Sequence, residues 1–134
     1  AFEAESTPFT VQQVHDLFLT KLVHDYDYVF CITTTRTRSG IYDNAVQASY
    51  TILNDYKPVR AASGNTTPFA LRVIDSQNVF ASVGVLVVEA ARLRAEADQL
   101  GVCLTESPSY YALNYSNGDP AHFRAWRFDW GGCP

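Results

Sequence analysis

From Val11 onward the apolar residues Val11, Val14, Leu17, Phe18, Leu22 and Val23 recur at the spacing of one face of an α-helix, with polar residues between them. Thr10 and Gln13 make a capping-box pattern at its start, and Pro8 biases Thr7 toward extended backbone. The chain therefore opens as an extended lead over Ala1 to Pro8 and a helix from Val11 to about Asp25. Tyr28 to Thr33, reading Tyr-Val-Phe-Cys-Ile-Thr, is apolar and partly β-branched, the signature of a buried strand. It passes abruptly into a polar loop, Thr34 to Gly40. A second helical pattern runs from about Ile41 to Tyr56, with Ile41, Ala45, Ala48, Ile52 and Tyr56 on one face, Ser39 or Gly40 as its cap, and Pro58 beyond its end. Arg60 to Pro68, rich in Ala, Ser, Gly, Asn and Thr, reads as a surface connection. Phe69 to Ile74 reads as a second strand ending in Asp75-Ser76. A long helix follows from about Val79 or Val83 to Leu100, where Gly101 stops it. Val102 to Thr105 has the character of a third short strand.

The order helix, strand, helix, strand, helix implies parallel strands joined by right-handed crossovers, an open, mainly parallel α/β sheet with helices on both faces. In such sheets ligands bind at the carboxyl ends of the strands. Beyond Val102 no period is legible. The aromatic residues there (Tyr110, Tyr111, Tyr115, Phe123, Trp126, Phe128 and Trp130) have the character of core or interface rather than of a cofactor box.

Composition narrows the class. A chain of 134 residues has the length of about one domain, and 47% hydrophobic with 18% charged residues is the balance of a globular protein. The formal net charge of −4 argues against nucleic acid as the main partner, because phosphate binding needs a clustered basic surface. No apolar run is long enough to span a bilayer and the amino terminus lacks signal-peptide order, so the expected location is cytoplasmic. Cys31, Cys103 and Cys133 form no Cys-x-x-Cys pair, and no His stands at ligand spacing, so neither a metal nor another cofactor is expected. Cys31 reads as a small core residue; Cys103 and Cys133 could pair in an oxidising compartment and are expected to be thiols in cytosol. His15 and His24 read as exposed or half-buried helix histidines.

The candidate chemistry lies in Tyr28 to Tyr42, where a strand, a hydroxyl-rich loop with Arg36 and Arg38, and a helix start follow one another. Free amides at a helix N-terminus together with hydroxyls suit an anionic group, and an arginine pointing inward would add a bidentate clamp. The same residues are equally those of a strand end and turn with an N-cap. No nucleophile–base arrangement and no glycine-rich phosphate fingerprint is present, and Asp43 in a first helical turn is explained by the helix dipole, so no enzyme is expected.

Three landmarks make the chain resemble the DegV family of bacterial fatty-acid-binding proteins from Glu3 to about Arg94. Ser6-Thr7-Pro8 is similar to the family's Thr-Ser-x-Pro segment. Ile32-Thr33-Thr34-Thr35-Arg36-Thr37-Arg38-Ser39-Gly40-Ile41-Tyr42 resembles its strand-loop-helix motif with a Ser-Ser pair and Ser-Gly-Thr-Tyr, and Val73-Ile74-Asp75-Ser76 resembles its Val-Ile-Asp-Ser segment. The resemblance implies an amino-terminal α/β domain whose loops hold a long-chain fatty-acid carboxylate and which presents the acyl chain to a fatty-acid kinase. By position it implies Ser6, Thr34, Thr35, Ser39, Gly40, Asp75 and Ser76 as the ligand-binding set, with Thr35 the favoured donor. Glu5 stands where a Thr is usual, and a carboxylate there would repel a bound acid. A typical member has an earlier strand and a second domain, so the fold is expected to be incomplete: residues 1–100 as a DegV-like portion and 101–134 as a divergent tail. The competing expectation is a structural or interaction domain, a truncated or divergent DegV product, that binds nothing.

Overall fold

Thr10 opens the first helix through a reciprocal capping box: its hydroxyl accepts from the Gln13 N–H (3.2 Å), and Gln13 Oε1 accepts from the Thr10 N–H (2.9 Å). The computed structural model describes residues 3–100, 103–106 and 128–131. They fall into two units, one running to Asp75 and one beginning at Ser76.

In the first unit the helix expected over Val11 to Asp25 is helical throughout but is not one α-helix. It divides into α1 (Val11–Leu17), a π-helical turn (Phe18–Leu22) and α2 (Val23–Asp25). The spacing of the buried side chains explains the break. Val14 and Phe18 are four apart, as an α-helix requires, but the next fully buried residue is Val23, five beyond Phe18. A π turn holds one residue more than an α turn, so it carries Val23 under the sheet side and leaves Leu22 half-buried.

β1 (Tyr28–Thr33) pairs in parallel with β2 (Ala70–Asp75), in register from Tyr28 opposite Ala70 to Thr33 opposite Asp75. The crossover between them is α3 (Ile41–Ala62). Ala45, Ala48 and Ile52 of α3 pack with Val14, Phe18 and Val23 against Phe69 and Leu71, and the two alanines let the helices approach closely. Cys31 is half-buried against this core, as expected, and burial pushes its thiol pKa up. At one end Asn44 Nδ2 donates to the Phe9 carbonyl (2.8 Å); at the other Arg60 Nη1 donates to the carbonyls of Val23 and Tyr26 (2.9 Å each). α1 and α3 thus run side by side in one direction, and both begin where β1 and β2 end.

The second helix does not stop near Tyr56 ahead of Pro58. It continues through Pro58 to Ala62. Pro58 lies exposed, so the lost N–H and the ring fall on the solvent side. Continuing the helix brings Arg60 to the buried face, where it also donates to Asp27 and Thr67. Arg60 is accordingly not the start of a surface connection: it is 1% exposed. The connection begins at Ser63, and Gly64 (φ 78°) ends the helix in the left-handed region, its N–H on the Ala61 carbonyl (3.0 Å).

His15, half-buried on α1, bridges to α3: Nε2 lies 3.0 Å from Asp55 Oδ2, and Nδ1 lies 3.2 Å from Asp16 Oδ1. The Asp55 hydrogen bond, opposed by partial burial and helped by Asp16, raises its pKa above the ordinary 6.5. A raised folded-state pKa contributes stability that is complete below the unfolded value and is lost as pH rises through the folded value. His15→Gln should therefore destabilise the protein at about pH 6 and change little at about pH 9. Urea denaturation at both pH values checks this; an equal loss at both would show that the charge is not what matters.

The second unit contains α4 (Ala81–Leu100) and an antiparallel pair, β3 (Cys103–Glu106) with β4 (Phe128–Gly131), in register from Cys103 opposite Gly131 to Glu106 opposite Phe128. The third strand expected at Val102 to Thr105 forms one residue later, and it pairs with part of the aromatic stretch. Tyr110, Tyr111, Tyr115, Phe123, Trp126 and Cys133 lie outside the described residues. Among the described residues no helix is long and apolar enough to cross a membrane, and no cluster of His, Cys, Asp or Glu is placed to hold a metal ion.

Candidate functional site

The strand ends and helix starts of the first unit meet at one edge, and an open cleft of about 590 Å³ lies there. One wall is the extended segment Ser6, Thr7, Pro8 and Phe9; the other is Arg38, Ser39, Gly40 and Ile41, the entry to α3. The walls come from segments some thirty residues apart in sequence. Two local features fix them: the Thr10 capping box orients the chain just after Phe9, and Asn44, in the first turns of α3, holds the Phe9 carbonyl.

The second wall is shaped by a turn. The Arg38 N–H donates to the Thr35 carbonyl (3.0 Å), folding the loop back before the helix. Ser39 Oγ accepts from the Ile41 N–H (3.2 Å), and Gly40 is the N-cap residue without a side chain to cap. The other first-turn amides of α3 carry the partial positive charge of a helix N-terminus. Gly40 has φ −76°, which any residue adopts, so the glycine is not needed for its backbone angle. Its distinction is space: apart from Gly40 and its immediate chain neighbours, no heavy atom of the described residues lies within 4 Å of where a Cβ would be, so the backbone there is open to the cleft.

Of the residues expected to bind a ligand, the structure brings Ser6, Ser39 and Gly40 together. Thr34 and Thr35 are half-buried and do not line the cleft; the Thr35 hydroxyl is 3.2 Å from that of Thr37, within the loop. Just before them, buried Thr33 donates to the Ile74 carbonyl (3.3 Å), so its hydroxyl joins the two strands. Asp75 closes β2 opposite Thr33. Ser76 is fully buried and its hydroxyl is engaged with Asn78, donating to the carbonyl and accepting from the N–H (3.1 Å each). Glu5 is exposed and does not line the cleft, so the repulsion expected of it is not built into this wall.

Besides Arg38, sequence reasoning left four lining residues out of the binding set: Thr7, Pro8, Phe9 and Ile41. The signal that could have found them is the capping box, since a chain fixed at Thr10 has a fixed direction through Pro8 and Phe9. Arg38 was recognised as a possible clamp and lines the cleft; Arg36 instead pairs with Asp43 (3.2 Å) and lies over the Tyr42 ring (5.3 Å). The resulting arrangement is amphiphilic. Hydroxyls, a guanidinium and a helix start stand beside the apolar surfaces of Pro8, Phe9 and Ile41, which suits a ligand with an anionic or polar head and an apolar body.

A family model described as an uncharacterised protein family, DegV, matches residues 3–111. The chain is 60% identical over 103 residues to a DegV domain-containing protein of Xanthomonas axonopodis pv. citri, covering 77% of this chain and 33% of that protein. It is 64% identical over 100 residues to a DegV domain-containing protein of Xanthomonas campestris pv. campestris, covering 75% of this chain and 31% of that protein. The chain thus spans about a third of the length of these curated relatives. Among solved structures it is similar to the crystal structure of a DegV lipid-binding protein from Thermotoga maritima, with a TM-score of 0.50 at 21% identity, over 75% of this chain and 30% of that one. At that identity the likeness speaks to the fold.

Proposed function

The chain belongs to the DegV family, and on that premise we propose that it binds the carboxylate of a long-chain fatty acid at the start of α3. The observation that carries the reading is the cleft itself: Ser6 and Ser39, more than thirty residues apart, face one volume together with Phe9 and Ile41. Its size lies within the about 300–1,000 Å³ usual for ligand sites. Ser6, Ser39 and the α3 amides near Gly40 donate to the head group, and Pro8, Phe9 and Ile41 take up the first part of the acyl chain. Thr34, Thr35, Asp75 and Ser76 act at one remove, shaping the loop and the strand ends. The description of the Thermotoga maritima protein as lipid-binding supports a lipid as the ligand. In the whole protein the same site presents the acyl chain to a fatty-acid kinase, so the role is that of a binding protein and not an enzyme.

Native mass spectrometry of protein purified from bacteria should show a co-purified fatty acid. Added palmitate or oleate should raise stability, by about 2.7 kcal/mol at a hundredfold excess over the dissociation constant. Removing one head-group donor, Ser39→Ala, should weaken palmitate binding by about tenfold, while Thr35→Ala should stay within about twofold. The reverse order would move the head group out of the cleft. No stabilisation by either acid would defeat the lipid reading.

A further inference from the structure

We propose that Arg38, and not Arg36, selects the ionised form of the head group, making the cleft a site for anionic amphiphiles rather than for neutral esters or alcohols of the same chain length. The inference rests on the lipid-binding reading above and adds to it the origin of charge selection.

The two arginines leave the same loop but have different surroundings. Arg36 Nη2 lies 3.2 Å from Asp43 Oδ1, and its guanidinium lies 5.3 Å from the centre of the Tyr42 ring. Asp43 and Tyr42 are in the first turn of α3. The charge of Arg36 is thereby set against a carboxylate, and its flat face is occupied by an aromatic ring. Arg38 is exposed, lines the cleft beside Ser39, and makes no ion pair or side-chain hydrogen bond among the described residues. Its backbone is nevertheless fixed by the bond from its N–H to the Thr35 carbonyl (3.0 Å).

The hydroxyls of the lining do not discriminate charge, and the α3 amides beside Gly40 add only the partial positive charge of a helix end. Hydroxyls both donate and accept, so Ser6, Thr7 and Ser39 can satisfy a carboxylate, an ester or an alcohol alike. A guanidinium only donates and stays charged, so it favours an acceptor that carries negative charge. Among the residues that line the cleft Arg38 carries the formal charge, and no acidic side chain stands with it. The cleft therefore has a net positive character, even though the chain as a whole carries −4.

The test measures dissociation constants of palmitate and of hexadecanol for the wild-type protein and for Arg38→Gln, Arg38→Lys and Arg36→Gln, at low and high salt. Arg38→Gln should weaken palmitate about tenfold or more, leave hexadecanol within about twofold, and flatten the salt dependence of palmitate binding. Arg38→Lys should recover part of the loss, since it keeps the charge without the planar fork. Arg36→Gln should leave palmitate within about twofold. The inference is overturned if Arg38→Gln affects both ligands equally or neither, or if Arg36→Gln reproduces its effect. A wild-type protein that binds neither ligand overturns the lipid-binding reading itself, a result distinct from wild-type binding with an indifferent Arg38.

Discussion

Arg60→Ala is expected to destabilise the first unit by about 3–5 kcal/mol, measured as a shift of the urea midpoint at unchanged slope. Arg60 is 1% exposed, and its Nη1 and Nη2 groups donate to the Val23 and Tyr26 carbonyls, to Asp27 and to Thr67. These acceptors belong to α2 and its C-cap, the entry to β1 and the approach to β2, so one side chain closes three segments onto α3. Alanine would leave the Val23 and Tyr26 carbonyls without their donor and a void where the guanidinium had lain over Phe69. The Nε–H has no hydrogen-bond partner, which offsets part of the gain and places the estimate below the sum of its individual bonds. Arg60→Lys should lose less but still more than a surface change, because one ammonium cannot reach acceptors spread across a planar fork.

The same substitution has a pH signature. Hydrogen bonds from Arg60 and then Thr67 hold the Asp27 carboxyl below its ordinary pKa of 3.8. A depressed folded-state pKa contributes stability that is present above the unfolded value and is lost as pH falls through the folded value. Wild-type stability should thus drop as the solution is acidified below about pH 4, and Arg60→Ala should lack that part of the drop. Asp27 is largely exposed, so solvent screening keeps this component small beside the loss of the buried bonds.

Phe18→Ala is the second large effect, also about 3–5 kcal/mol, because it empties a fully packed aromatic site. Phe18 is 4% exposed and sits at the first residue of the π turn, between Val14 and Val23 in the core. Without it the turn loses the side chain that orients it. Phe18→Leu should cost about 1–2 kcal/mol, since it keeps most of the apolar contact. Equilibrium denaturation of both variants checks the order. A loss of under about 1 kcal/mol for Phe18→Ala would mean that the site collapses around the cavity, or that α1 is not held by this core.

Much of the local structure was legible because it depends on neighbours in sequence. The capping box at Thr10, the strand from Tyr28 to Thr33, and the face formed by Ala45, Ala48 and Ile52 all follow from side chains within a few residues of one another. The π turn was hidden because a five-residue step between Phe18 and Val23 looks like an irregular α-helical pattern until the core shows which residues are fully covered. Pro58 misled for a related reason. Its local cost is real, but it is outweighed by bonds that Arg60 makes to residues more than thirty positions away.

The cleft divides in the same way. That hydroxyls and a helix start follow β1 is written in Thr34 to Ile41, and the Ser6-Thr7-Pro8 segment stands out as a second polar patch. Which hydroxyls face the opening is not written there. Thr35 and Ser39 are both plausible donors by type and position, and only the turn closed by Arg38 places Ser39 in the cleft and pairs Thr35 with Thr37. Likewise Arg36 and Arg38 look interchangeable in the chain, yet two residues' difference on a tight turn sends one to Asp43 and leaves the other on the cleft wall. The sequence by itself determined most of the elements of the first unit, their parallel α/β order and the hydroxyl-rich loop that follows β1, because periodicity and capping act over short range. Tertiary structure decided which side chains meet, because the direction of a side chain in a turn and the match between Ser6 and Ser39 depend on contacts across the fold.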